Sequence, residues 1–204
     1  MSSKALYWCA PDVRAAIRWQ LPVKCHVHIS TMLSMRLSTF AVFALATVAA
    51  CNPTFNWRDV RLEDTRLSLL MPCKPDKAQK TVPMAGLPTE LMLLSCDAGG
   101  VTFAVAAADV RDASKLAATL AQWQSATLTN MKAAQASHAA ALKIAGAANG
   151  AVLVKATGQR ANGQAVSSQA AYFVQGTQVF QAVMYADKIS VDVAETFFSG
   201  LKFE

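Results

Sequence analysis

Short apolar runs set off by turn residues fill the chain beyond residue 65. "RLSLLMPCKP" (66–75) is an apolar run stopped by two prolines, which predicts a strand and then a break. "KAQKTVPM" (77–84) alternates weakly and suits a sheet edge, because Pro83 cannot donate to a ladder. "TELMLLSCD" (89–97) and "VTFAVAAADV" (101–110) flank Ala98-Gly99-Gly100 and read as a hairpin. The period then changes. Leu116, Leu120, Trp123, Thr127 and Met131 recur at near-helical spacing behind Asp112 or Ser114 as cap, which places Trp123 in a core. The Ala-rich stretch 133–148 fits either a continuation of that helix or a loop.

A second set of apolar runs follows. "GAVLVKATGQ" (150–159), "QAVSSQAAYFVQ" (164–175) and "TQVFQAVMYA" (177–186) are joined by Asn162-Gly163 and Gly176-Thr177, both hairpin signals. Ser190 stands where it can cap a last helix with Val193, Phe197 and Leu201 on one face. These elements predict an α+β fold: an antiparallel β-sheet with a long helix and a C-terminal helix packed on it.

The first third of the chain is patterned differently. "LSTFAVFALATVAA" (37–50) holds fourteen residues without a charge, directly after Arg36. A membrane-spanning helix needs about 20 apolar residues, so this run is short for a span. A basic residue, an apolar centre and small residues before a cut form the layout of a secretory signal peptide. A signal peptide over 35–50, starting at Met32 or Met35, has ordinary proportions. Residues 1–34 then read as upstream sequence from a misassigned start. That segment carries Cys25, His26 and His28, which lack the second cluster a metal site needs. Residues 51–65, "CNPTFNWRDVRLEDT", show no sustained period and read as a polar tether before a single domain at 66–204.

Val48, Ala49, Ala50 and Cys51 resemble the lipobox of bacterial lipoproteins. The resemblance implies that the Cys51 thiol receives a diacylglyceryl group, that the preceding peptide is removed, and that the new amino terminus is acylated. Asn52, in place of the Asp of inner-membrane lipoproteins, implies the outer membrane, facing the periplasm. The chain is also similar to small proteobacterial lipoproteins in which N-P-x-x-N-W-R follows the lipidated cysteine and P-C-K-P comes next. Here these residues are Asn52, Pro53, Asn56, Trp57 and Arg58, then Pro72, Cys73, Lys74 and Pro75. The closing "FFSGLKF" (197–203) and the order of elements resemble the PsbP-like α/β sandwich family. That likeness bears on fold and brings no chemistry.

Charge and composition narrow the function classes. The net +6 places +4 in residues 1–50 and +2 in the rest, where the basic residues are scattered. No run tracks a phosphate backbone, so nucleic acid is not an expected partner. Trp57 with Arg58 and Arg61, close to a lipid anchor, can sit among headgroups, or Trp57 can pack back on the domain. Beyond Cys51 the one histidine is His138, with no carboxylate near it in sequence to hold it as a base. The close pair Asp109 and Asp112 suits helix capping. No metal set, G-x-G-x-x-G or P-loop is present, so no metal or cofactor is expected. Cys73 and Cys96 are left over once Cys51 is lipidated. In an oxidising compartment they suit a structural disulfide, with two buried thiols as the alternative.

The expected function is a membrane-anchored envelope lipoprotein, a non-enzymatic binding or assembly module with an envelope protein partner. A periplasmic carrier of a small amphiphile is the alternative. A core filled by Trp123, Phe173, Phe180, Phe197 and Phe198 favours the first, and a lined cavity favours the second.

Overall fold

The structure is a computed structural model that describes residues 54–133, 136, 138–147 and 150–204. The lipobox with Cys51, the signal peptide and the upstream segment with Cys25, His26 and His28 lie outside the described residues. The described chain is mostly antiparallel sheet with two short helices. Strands β1 (Arg58–Arg61), β2 (Leu67–Met71), β3 (Asp76–Met84), β4 (Leu87–Ala98) and β5 (Val101–Asp109) come first. Helix α1 (Leu116–Asn130) follows, then β6 (His138–Leu142), β7 (Ala151–Gln159), β8 (Ala165–Gln175) and β9 (Gln178–Ala186). Helix α2 (Val191–Ser199) and β10 (Lys202–Phe203) close the chain.

Seven strands form one sheet in the order β3-β4-β5-β9-β8-β7-β6, and β1-β2-β10 form a small second sheet. The join between the two halves of the large sheet is β5 against β9, with Phe103 opposite Met184 and Ala107 opposite Phe180. Because β5 is central and covered on both faces, its sequence reads as a continuous apolar run and not as an alternation. Phe103, Val105 and Ala107 face Leu67, Leu69 and Met71 of β2 and Phe197 and Phe198 of α2. Ala106 and Ala108 face the other way, toward Trp123 of α1 and the β9 residues Val179 and Val183. The sheet thus lies between α1 on one face and α2 with the small sheet on the other.

Several sequence expectations are corrected here. The stretch expected to be a tether (51–65) is folded from Thr54 onward: β1 pairs with β2, Val60 opposite Leu69, and Leu62 is buried. Val60 and Leu62 alternate with Asp59 and Arg61, a period of two too short to be recognised before its partner strand is known. The long helix is a 15-residue helix that stops at Asn130, where Lys132 turns into the left-handed region at φ +52°. Among the described residues of the Ala-rich stretch 133–148, none continues the helix and five form a strand. His138–Leu142 pairs with β7, so tertiary pairing overrides the helical preference of alanine. Ser190 stands at the α2 N-cap, but its side chain makes no capping hydrogen bond. Leu201 falls beyond the helix and is still buried.

Other features follow the pattern. Asp112 caps the turn that leads into α1, accepting from the Ser114 backbone N–H at 3.0 Å. Gly99 (φ +57°) and Gly100 (φ +74°) form the β4–β5 turn, and Gly163 (φ +82°) sits in the β7–β8 turn.

Gly158 on β7 is required for a different reason. The Gln159 N–H donates to the Met131 carbonyl at 2.6 Å, and a Cβ at Gly158 would overlap that same carbonyl oxygen. Gly158→Ala is therefore expected to push the end of α1 off the sheet and cost about 1–3 kcal/mol, the range for forced overpacking. Denaturant unfolding would measure it; an unchanged midpoint would show that this approach does not hold α1 in place.

Candidate functional site

Two places concentrate the residues singled out from sequence: the N-terminal aromatic corner and the β5–α1 junction. At the corner, the Asn56 N–H donates to the Pro72 carbonyl at 2.8 Å and lays residues 54–57 across the end of the large sheet. Trp57 is half-buried, with its ring 6.1 Å from Phe103 and 5.9 Å from Phe55. Phe103 in turn lies 5.3 Å from Phe197. Trp57 therefore packs back on the domain, one of the two readings open from sequence. Arg58 donates to the Asn56 carbonyl at 3.4 Å. Arg61 and Lys202 flank Ser68 across the small sheet and both pair with Glu204. The hydrogen bond and charge of Lys202, then the nearby Arg61 charge, hold the Glu204 carboxyl below its ordinary range.

Cys73 and Cys96 form a disulfide, with their Cα atoms 6.1 Å apart. Cys73 follows β2 and Cys96 lies on β4, so the bond ties the small sheet to the large one. Cys96 is buried and Cys73 half-buried.

The β5–α1 junction holds Asp109 and Asp112, and the structure sends them to separate tasks. Asp109 accepts from the Arg111 N–H at 2.9 Å and from the Thr177 hydroxyl at 2.7 Å, joining this loop to the β8–β9 turn. Asp112 accepts from the Ser114 hydroxyl and backbone, which holds its carboxyl below the usual range. Neither carboxylate is arranged against the other as an acid–base pair. His138 is exposed on β6 opposite Lys155, away from both aspartates in the strand order. Among the described residues no group of three or more His, Cys, Asp and Glu could hold a metal ion.

Sequence reasoning missed a buried polar cluster between sheet and α1. Gln181 donates to the Thr127 hydroxyl and to the Tyr172 phenol, each at 3.0 Å. Burial pushes the Tyr172 phenol upward in pKa, and the cluster's hydrogen bonds oppose that shift. A glutamine inside the apolar run "QVFQAVMYA" was the available signal. The cluster is satisfied internally and offers no open group to a ligand.

Two hollows of about 180 and 260 Å³ lie on the surface. The smaller one is lined by Leu62, Lys77 and Met92, the larger by Leu87, Glu90, Arg111 and Gln178. Neither opens into the aromatic core. There Phe173 stacks on Phe180 at 5.1 Å, and Phe203 packs edge-on against both.

No family model matches the chain, and no curated protein matches it. Among solved structures it is similar to a Bacteroides thetaiotaomicron protein at 17% identity and a TM-score of 0.42. That alignment covers 68% of this chain and 45% of the other. It is also similar to a Pseudomonas aeruginosa protein of unknown function, at 17% identity and a TM-score of 0.35, over 69% of this chain and 89% of that one. At this level the likeness assigns no function.

Proposed function

We propose that this chain is an envelope lipoprotein anchored through Cys51, whose domain acts by contact with an envelope partner and without turnover. The observation that carries the anchor is the uncharged run 37–50 behind Arg36, ending in Val48-Ala49-Ala50-Cys51. The outer membrane, facing the periplasm, is the compartment this reading assigns through Asn52, and we read the fold as a PsbP-like sandwich. The disulfide supports an oxidising compartment. Action by contact is supported by the filled aromatic core, since ligand pockets of carriers run to about 300–1,000 Å³. Both surface hollows are smaller and lined in part by charged groups. The amphiphile carrier remains the second reading, and it would need the core to open.

The anchor is tested by Cys51→Ser. One acyl chain gives only marginal membrane binding, so the multiply acylated protein should stay with the membrane through salt and carbonate washes. The variant should accumulate as unprocessed precursor. A shortened, detergent-extracted product from Cys51→Ser would rule the lipobox out. Contact without turnover is tested in a rescued deletion strain. His138→Ala should rescue fully, and a soluble, unanchored form should fail, because anchoring raises the effective concentration of a weak face. The reverse pattern would return catalysis to the front.

A further inference from the structure

We infer that the domain stands on the bilayer by one end of its large sheet, the end carrying the β4–β5 turn, and points the β3–β4 turn away from it. The inference rests on the Cys51 anchor and adds an orientation to it. Only Asn52 and Pro53 separate Cys51 from Thr54, the first described residue, so three Cα-to-Cα steps give a reach of about 10 Å at full extension. Thr54 has no freedom to wander, because its neighbours are built into the sheet end. Asn56 is bonded to Pro72, and Phe55 lies so close over Gly99 that a side chain there would overlap its ring. An anchor at Cys51 can therefore lie no more than about 10 Å from Thr54, whose neighbour Phe55 covers Gly99 at this sheet end.

The opposite end is far away. Strand β4 runs through 12 residues from Leu87 to Ala98, about 36 Å at 3.3 Å per residue. That length is more than three times the reach of the tether. The far end gathers the turn at Ala85-Gly86, Arg111, the Gly176-Thr177 turn and the larger hollow.

Two further observations favour standing over lying flat. Among the described residues the exposed large apolar side chains are Leu87, Val152 and Val191, on three different elements. No apolar stripe runs along a face to hold the domain down on a membrane. At the near end, three charged groups are engaged: Asp97 accepts from the Thr102 hydroxyl at 2.5 Å, and Arg160 pairs with Asp187 at 3.1 Å. Contact with headgroups there leaves these three groups paired. The tether and not charge sets the orientation, so anionic lipid and salt should leave it unchanged.

The test uses the mature lipidated protein in phosphatidylcholine vesicles that carry a nitroxide on the lipid headgroup. Two exposed sites receive a tryptophan reporter: Lys188→Trp, just past β9 at the near end, and Leu87→Trp at the far turn. The added fluorescence of Lys188→Trp should be quenched at least several-fold more strongly than that of Leu87→Trp, with or without anionic lipid. Mass spectrometry of the N-terminal peptide separates the two readings. An acylated Cys51 with equal quenching, or with Leu87→Trp quenched more, overturns the orientation alone. An unacylated Cys51 overturns the anchor, and the orientation falls with it.

Discussion

Phe103→Ala should destabilise the domain by about 3–5 kcal/mol, the range for truncating a fully buried aromatic ring. Phe103 has no exposed surface and sits on β5, the strand on which the two halves of the large sheet meet. Three other rings pack against it: Phe55 at 6.4 Å, Trp57 at 6.1 Å and Phe197 at 5.3 Å. The cavity is bounded by two sheets and a helix, so its walls have little room to collapse. A local signature should accompany the global one. Trp57 loses one of its two ring partners, so its emission should move to the red before the rest of the domain unfolds. Urea unfolding followed by tryptophan fluorescence reads both effects. A loss below about 1 kcal/mol would mean that the ring does not join these elements.

Removing the Cys73–Cys96 bond should have an effect of similar size from a different cause. A cross-link closing a loop of 23 residues' separation restricts the unfolded chain by about 3.5 kcal/mol on the chain-entropy model. Cys73→Ala should therefore lower the melting temperature by about 7–14 °C for a domain of this size. Cys73 is the better site to change, because it is half-buried and its loss leaves a smaller cavity than loss of Cys96. Thiol labelling of the unfolded, unreduced protein checks the bond directly, and neither cysteine should react. Full labelling of both would contradict it. Membrane attachment should not change, since the bond holds one sheet to another and not the domain to its anchor.

Legibility differed from one part of the chain to another for physical reasons. Strands β4, β5, β8 and β9 could be read because each is long, apolar and bounded by glycine turns whose φ is positive. The start of α1 was readable because a cap is a local event within three residues of Asp112. Strands β1, β6 and β10 were not legible. They are 4, 5 and 2 residues long, too short to show a period, and each is defined by the strand that supplies its hydrogen bonds: the next strand for β1 and β6, and β2, far back in the chain, for β10. Thr119 is buried on α1, and its hydroxyl donates to the Lys115 carbonyl at 2.8 Å, which lets a polar residue occupy a core position that a hydrophobic period skips. At the candidate site, the cysteine pairing and the capping role of Asp112 were legible. The packing of Trp57 could not be chosen from sequence, because the ring it meets lies on another strand. The task of Asp109 was hidden likewise, since Thr177 is 68 residues away.

The way β2 is flanked has a consequence for how the protein is made. One of its edges is taken by β1, a few residues earlier, and the other by β10, where Leu67 pairs with Phe203. The large sheet is likewise joined across its middle only when β9 reaches β5. A chain emerging amino terminus first therefore exposes an incomplete sheet until its last residues are free. Contacts this distant in sequence fold slowly, since loop closure precedes any reward. The polypeptide should thus remain open and threadable through most of its synthesis, and lock as a unit once Phe203 is delivered edge-on against the stacked rings of Phe173 and Phe180.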